Sequence, residues 1–137
     1  MSGPSRLFVY GTLMQGHDND AARRFHQEAV YMERGTIPGR LYHIGEYPGA
    51  IYDSSNRSEQ IQGEIWRMKD PASTLSWLDE YEEFGAQFPA PNEFIRRVLA
   101  VQPEEGYHLA CYVYLYDRFT DGRAVISDGD WRRVHQG

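Results

Sequence analysis

The apolar and polar positions of this chain fall into short apolar runs punctuated by glycine and proline, with two stretches at helical spacing. The first run, Leu7 to Tyr10, reads as a short buried strand that stops on Gly11-Thr12-Leu13. "DNDAARRFHQEAV" then opens on capping residues and sets Ala22, Phe25 and Ala29 at helical spacing, giving a strand-turn-helix unit. "TIPGRLYHIG" and "GAIYD" read as short strands broken by Pro and Gly, with "SSNRS" as the loop before a further strand, "QIQGEIWRM". Asp70 followed by Pro71 marks a helix start, and the helix is expected to run to about Phe84. "FIRRVLAV" and "HLACYVYLY" are rich in β-branched and aromatic residues, and the second is apolar on both faces, as a central or barrel strand would be. The tail "DRFTDGRAVISDGDWRRVHQG" carries turn signals but no period, so no element is assigned to it. Short strands with two helices among them define an α+β class, with a closed or strongly curved sheet.

Length and charge narrow the picture. At 137 residues the chain is read as one domain, with a core over about 7–116 and a C-terminal extension over 117–137. Its net charge of −6, from 14 Lys plus Arg against 20 Asp plus Glu, argues against nucleic acid as a partner. Arg96-Arg97 and Arg132-Arg133 are local basic pairs among acidic neighbours. No apolar run approaches the roughly 20 residues that cross a bilayer, so no membrane partner is expected. The N-terminal "MSGPSRLFVY" lacks the apolar core of a signal peptide, and a cytoplasmic location and a monomer are the default expectations.

The richest chemistry lies in "STLSWLDEYEEF", where Asp79, Glu80, Glu82 and Glu83 crowd one helix. At about 100° per residue, Glu82 falls roughly 40° from the centre of the apolar stripe through Leu75, Leu78 and Tyr81. Glu82 is therefore expected to point inward. Asp79 lies about 100° from that centre, and Glu80 and Glu83 farther round, so all three are expected to reach water. An inward carboxylate loses hydration, and partial desolvation raises its pKa toward the range of general acid/base work. The bland alternative is a buried glutamate paired with Arg96 or Arg97; spacing does not separate the two.

Other constellations add little. His17, His26, His43, His108 and His135 lack the spacing of common metal motifs, so no metal is expected. Cys111, the single cysteine, sits in an apolar strand pattern as an inert buried thiol. Nucleophile elbows, Walker loops and dinucleotide fingerprints are all missing from the sequence. Tyr112, Tyr114 and Tyr116 share one strand face, as core packing or as pocket lining. A glycine turn after a buried strand, as at Gly11, either simply turns the chain or brings backbone N–H groups to a ligand.

In their order, "FVYGTL", "YPGAIYD", "GEIW", "LDEYE", "FIRRVLAV" and a late "CYVY" give a pattern that resembles the gamma-glutamylcyclotransferase-like family, over about Leu7 to Tyr116. The resemblance extends to its gamma-glutamylamine cyclotransferase and plant avirulence-induced-protein-like subgroup. It implies a small mixed β-barrel flanked by two main helices, and substrate binding at Tyr10, Gly11, Thr12 and Leu13. It further implies acid/base catalysis by Glu82, no cofactor, and cyclisation of a small gamma-glutamyl amine or peptide to 5-oxoproline with release of the amine or amino acid. Three departures bear on substrate choice. Glu83 stands where many relatives have glycine, Phe94 where tyrosine is frequent, and "FGAQFPAPNE" forms an insert expected at the pocket mouth. The alternatives are a non-catalytic small-molecule binding protein on the same fold, and a structural protein whose Glu82 is salt-bridged.

Overall fold

The computed structural model of the protein describes residues 3–84 and 92–135. Its order of elements is β1 (Arg6–Val9), α1 (Asp20–Glu28), β2 (Ala29–His43), β3 (Pro48–Tyr52), β4 (Gln60–Met68), α2 (Pro71–Tyr81), β5 (Phe94–Pro103), β6 (Leu109–Tyr116), β7 (Ala124–Ile126) and α3 (Trp131–His135). Five strands, β2-β4-β1-β6-β5, close into a mixed barrel because β5 returns to β2 at Gly35↔Pro103 and Thr36↔Gln102. β1 pairs antiparallel with β4 and parallel with β6. β3 and β7 extend the far end of β2. The α+β class and the closed sheet expected from the glycine-broken strands are both present.

The core follows from strands that bury apolar side chains on the inner face of the closed sheet, with Phe8, Ile37, Ile61, Ile65, Val101 and Val113 all fully buried. Leu7, on the opposite face of β1 with its partner Trp66, is buried as well. α2 adds Leu75 and Leu78, and α1 adds Phe25, whose ring packs 5.3 Å from that of Trp66. Burial of this kind, at about 25 cal/mol per Å² of apolar surface, supplies the main driving force.

Besides the end of α2, three elements differ from the sequence reading. Ala29, expected on the helix, opens β2 opposite Met68; the helix stops at Glu28 because Val30 and Tyr31 favour the extended ladder with β4. β2 runs unbroken for 15 residues. Its Pro38 and Gly39 mark a change of partner, since the ladder to β4 ends at Pro38↔Gln60 and the ladder to β3 begins at Gly39↔Tyr52. The unassigned tail supplies β7 and the buried Trp131, and the Gly129 carbonyl accepts from the Gln62 N–H at 2.8 Å. Three residues are too few to show a period in sequence.

Gly39 has φ +147°, and a Cβ there would sit 2.2 Å from the Ile51 carbonyl oxygen. The change of partner places β3, and with it Pro48, against the loop after β1. Gly39→Ala should therefore lower stability by about 2 kcal/mol or more, read as a fall in Tm by thermal denaturation.

Candidate active site

Strand β1 is held on both edges, so the loop that follows it is set by the barrel. Tyr10 is buried; its hydroxyl donates to the Tyr114 carbonyl at 2.5 Å and accepts from the Ala50 N–H at 3.4 Å. Burial and the nearby Glu82 carboxylate keep this phenol protonated well above its ordinary range. The Gly11 carbonyl accepts from Met14 N–H at 3.1 Å, and Asn19 Nδ2 donates to the Thr12 carbonyl at 3.0 Å while its Oδ1 caps α1. His26 Nε2 bonds the Leu13 carbonyl at 2.7 Å, which requires the proton on Nε2, and its ring stacks on Trp66. Glu64, buried in β4, accepts from the Gln15 N–H and from Trp66 Nε1. The carbonyls of Gly11, Thr12 and Leu13 are thus engaged. Among the described residues, the N–H groups of Gly11, Thr12 and Leu13 find no acceptor. Gly11 is needed for contact: a Cβ would lie 2.9 Å from Pro48 Cδ.

The second half of the site is the end of α2. Asp70 caps the helix start through Ser73 N–H, as expected. The helix ends at Tyr81 rather than near Phe84, with Glu82 as its C-cap. Glu83 takes a left-handed φ of 55°, its N–H bonds the Glu80 carbonyl, and the Phe84 N–H bonds that of Asp79 at 2.8 Å. This pair of bonds is a Schellman ending, in which the left-handed position favours glycine. Leu75 and Leu78 are buried, but Tyr81 is 48% exposed, because the stripe leaves the core one turn before the helix stops.

Glu82 is half-buried, and among the described residues no guanidinium, hydroxyl or amide pairs with its carboxylate. Loss of water, with a smaller contribution from the Glu93 charge, pushes its pKa up to about 8. The arginine proposed as its partner is engaged elsewhere. Arg96 contacts both oxygens of Asp79 at 2.9 and 3.0 Å, and Tyr114 donates to the same Asp79 at 2.7 Å. Asp79 is therefore a partly buried structural acceptor, against the expectation that it faces water. Arg97 is exposed and donates to the Arg96 carbonyl.

Loop and helix end meet across a cavity of about 450 Å³, lined by Tyr10, Gly11, Thr12 and Leu13 on one side and by Tyr81, Glu82 and Glu83 on another. Every residue singled out in the sequence for binding or catalysis is on this wall. Glu46, Tyr47 and Glu93 also line it and were not singled out for it, as do Phe94, noted as a departure bearing on substrate choice, and Tyr114, one of the tyrosines read as core packing or pocket lining. Tyr114 had a signal, the alternating tyrosines of β6; the two glutamates lie outside regular elements and had none. Tyr47 donates to Glu93, and burial together with that bond raises the Tyr47 pKa. Phe94 packs edge-on to Tyr116, and Tyr47 supplies a hydroxyl to the same wall. Cys111 is buried, with its thiol pushed up to about 12. Most of the insert "FGAQFPAPNE" lies outside the described residues.

A strand-borne Y-G-T-L loop and a helix-end glutamate face each other on a small mixed barrel, the fold of the gamma-glutamylcyclotransferase class. The chain belongs to that family: residues 7–133 match the family described as gamma-glutamyl cyclotransferase, AIG2-like. It is 32% identical over 129 residues to the gamma-L-glutamyl-butirosin B gamma-glutamyl cyclotransferase of Niallia circulans, covering 93% of this chain and 75% of that protein. It is 29% identical to the gamma-glutamylcyclotransferase family protein YtfP of Escherichia coli K12, covering 92% and 95%. An AIG2-like crystal structure from Mus musculus superimposes with a TM-score of 0.66 at 27% identity, covering 85% of this chain and 80% of that one. The family supports a gamma-glutamylcyclotransferase-like activity. Among the described residues no helix is long and apolar enough to cross a membrane.

The state of Glu82 has a consequence for stability. Its folded pKa of about 8 lies above the ordinary 4.5, so between these values the folded chain holds a proton that the unfolded chain has released. Stability is lost as pH rises through this window. Glu82→Gln should therefore raise Tm, with little gain near pH 4 and a gain on the order of 1–3 kcal/mol near pH 8; melting curves across that range check it. A salt-bridged Glu82 would give the opposite sign.

Proposed function

We propose that this protein cyclises a gamma-glutamyl amine to 5-oxoproline and releases the amine, with Glu82 as the proton carrier. The observation that carries the reading is a partly desolvated carboxylate, unpaired among the described residues, facing a loop with three N–H groups that find no acceptor there, across one cavity. The substrate's α-amino nitrogen attacks its own γ-carbonyl carbon, a C–N bond forms, and the amide C–N bond breaks. In this exchange the α-ammonium gives up two protons on becoming a lactam N–H, and the departing nitrogen gains two on leaving as an ammonium. Glu82 takes protons from the first nitrogen and returns them to the second. A pKa raised to about 8 brings the carboxylate closer to the basicity of the α-ammonium from which it takes its proton. The N–H groups of Gly11, Thr12 and Leu13 suit the substrate carboxylate and the oxyanion that develops on the γ-carbonyl. Nucleophile and electrophile belong to one molecule, so holding it folded supplies much of the acceleration.

Glu82→Gln, nearly isosteric, should lower 5-oxoproline formation by about 10²–10⁴-fold with the fold retained. Product release at the wild-type rate would remove Glu82 from the chemistry. Ligand-induced stabilisation without product in the wild-type protein would instead make it a binding protein. Because the carboxylate form is the base, kcat/KM of the wild type should rise with pH along a limb centred near 8. A limb near 4.5, the ordinary glutamate value, would mean that Glu82 is solvated in the working enzyme.

A further inference from the structure

The direction of each loop N–H follows from the bond made by the carbonyl before it. A trans peptide is planar, with its C=O and N–H antiparallel, so whatever holds a carbonyl also aims the N–H of the next residue. The Gly11 carbonyl accepts from the Met14 N–H at 3.1 Å, which sets the Thr12 N–H by backbone alone. The Thr12 carbonyl accepts from Asn19 Nδ2 at 3.0 Å, which sets the Leu13 N–H through a side chain. Leu13 is 6% exposed and lines the cavity. A buried N–H needs an acceptor. That of Leu13 has none among the described residues, so it is left for what enters the cavity.

Resting on the cyclotransferase reading, we propose that Asn19 is a positioning residue for the reaction: by holding the Thr12 carbonyl it aims the Leu13 N–H at the oxyanion that develops on the γ-carbonyl. Asn19 joins the loop to the helix that follows it. From an extended backbone, its Oδ1 accepts from the Ala22 N–H at 2.8 Å and caps α1, while Nδ2 donates to Thr12. One neighbour is a donor and the other an acceptor, which fixes the orientation of the amide and uses both of its ends. Aspartate and serine cap a helix about as well as asparagine. An ionised aspartate has no donor for the Thr12 carbonyl, and a serine side chain ends one bond earlier. The oxyanion charge exists only as the reaction proceeds, and the Gly11 and Thr12 N–H groups stay in place for the substrate carboxylate. Loss of the Asn19 donor therefore weakens the chemical step more than binding.

Asn19→Ser and Asn19→Asp separate the cap from the aim. Both variants keep a capping oxygen, so Tm should stay within about 3 °C of the wild type. With gamma-glutamylbutylamine and gamma-glutamylalanine as substrates and 5-oxoproline release as the readout, kcat should fall at least about tenfold in both variants, while KM changes by less than about threefold. Serine is neutral, so a loss shared by both variants is not an effect of the added aspartate charge. In amide NMR spectra of the ligand-free protein, the Leu13 resonance should move in N19S, and that of Ala22, still capped, should move far less. Wild-type kcat in N19S, a loss carried by KM alone, or a fall in kcat that comes with a collapse of Tm in both variants would overturn the proposal while leaving the cyclotransferase reading intact. No product from either substrate with the wild-type protein would overturn both.

Discussion

A carboxylate kept short of water, with no cation beside it among the described residues, is the constraint on which the arrangement of this molecule depends. Glu82 stands at the C-terminal end of α2, where helix carbonyls add negative partial charge, and Glu93 faces it across the cavity. Each feature disfavours its ionised form. The neighbouring arginine could relieve this, and the fold directs it away: Arg96 comes from β5, and Asp79, three residues earlier on α2, takes both of its contacts. Tyr114 closes the arrangement by donating to Asp79 while its carbonyl receives the Tyr10 hydroxyl. Among the described residues the glutamate is thus left unpaired by a neighbouring pair that is satisfied, at a local cost in stability.

The barrel makes the opposite wall rigid without help from the ligand. β1 lies between β4 and β6, so the residues after Val9 emerge from a strand that cannot shift on either side. Two side chains then hold the loop by its carbonyls, Asn19 at the start of α1 and His26 within α1, while Glu64 in β4 accepts from the Gln15 N–H just beyond. Binding the loop through its acceptors leaves the donors of Gly11, Thr12 and Leu13 available, which is the polarity an anionic group needs.

Much of this was legible in the sequence where a residue type carries a local meaning. Asp70-Pro71 gave the helix start, the glycine-broken strands gave a curved sheet, and the phase of Glu82 against Leu75 and Leu78 gave its inward direction. The helix end was not legible, because a Schellman ending is read from glycine and this chain has Glu83 there. Asp79 was misjudged because phase gives the direction of a side chain but not the arrival of an arginine from a strand 17 residues later. Glu46 and Glu93 had no periodic context. Their place on the cavity follows from which loops the closed sheet brings to one end.

Glu83 occupies a position where the backbone would prefer a residue with no side chain. Ordinarily a side chain that lines a cavity is anchored by packing, and its replacement disturbs the structure that presents it. Glu83 is instead attached to a backbone conformation that glycine adopts with less strain. Loss of the side chain would relax the chain rather than disrupt it, so the charge on this wall of the cavity is free to change without first compromising folding.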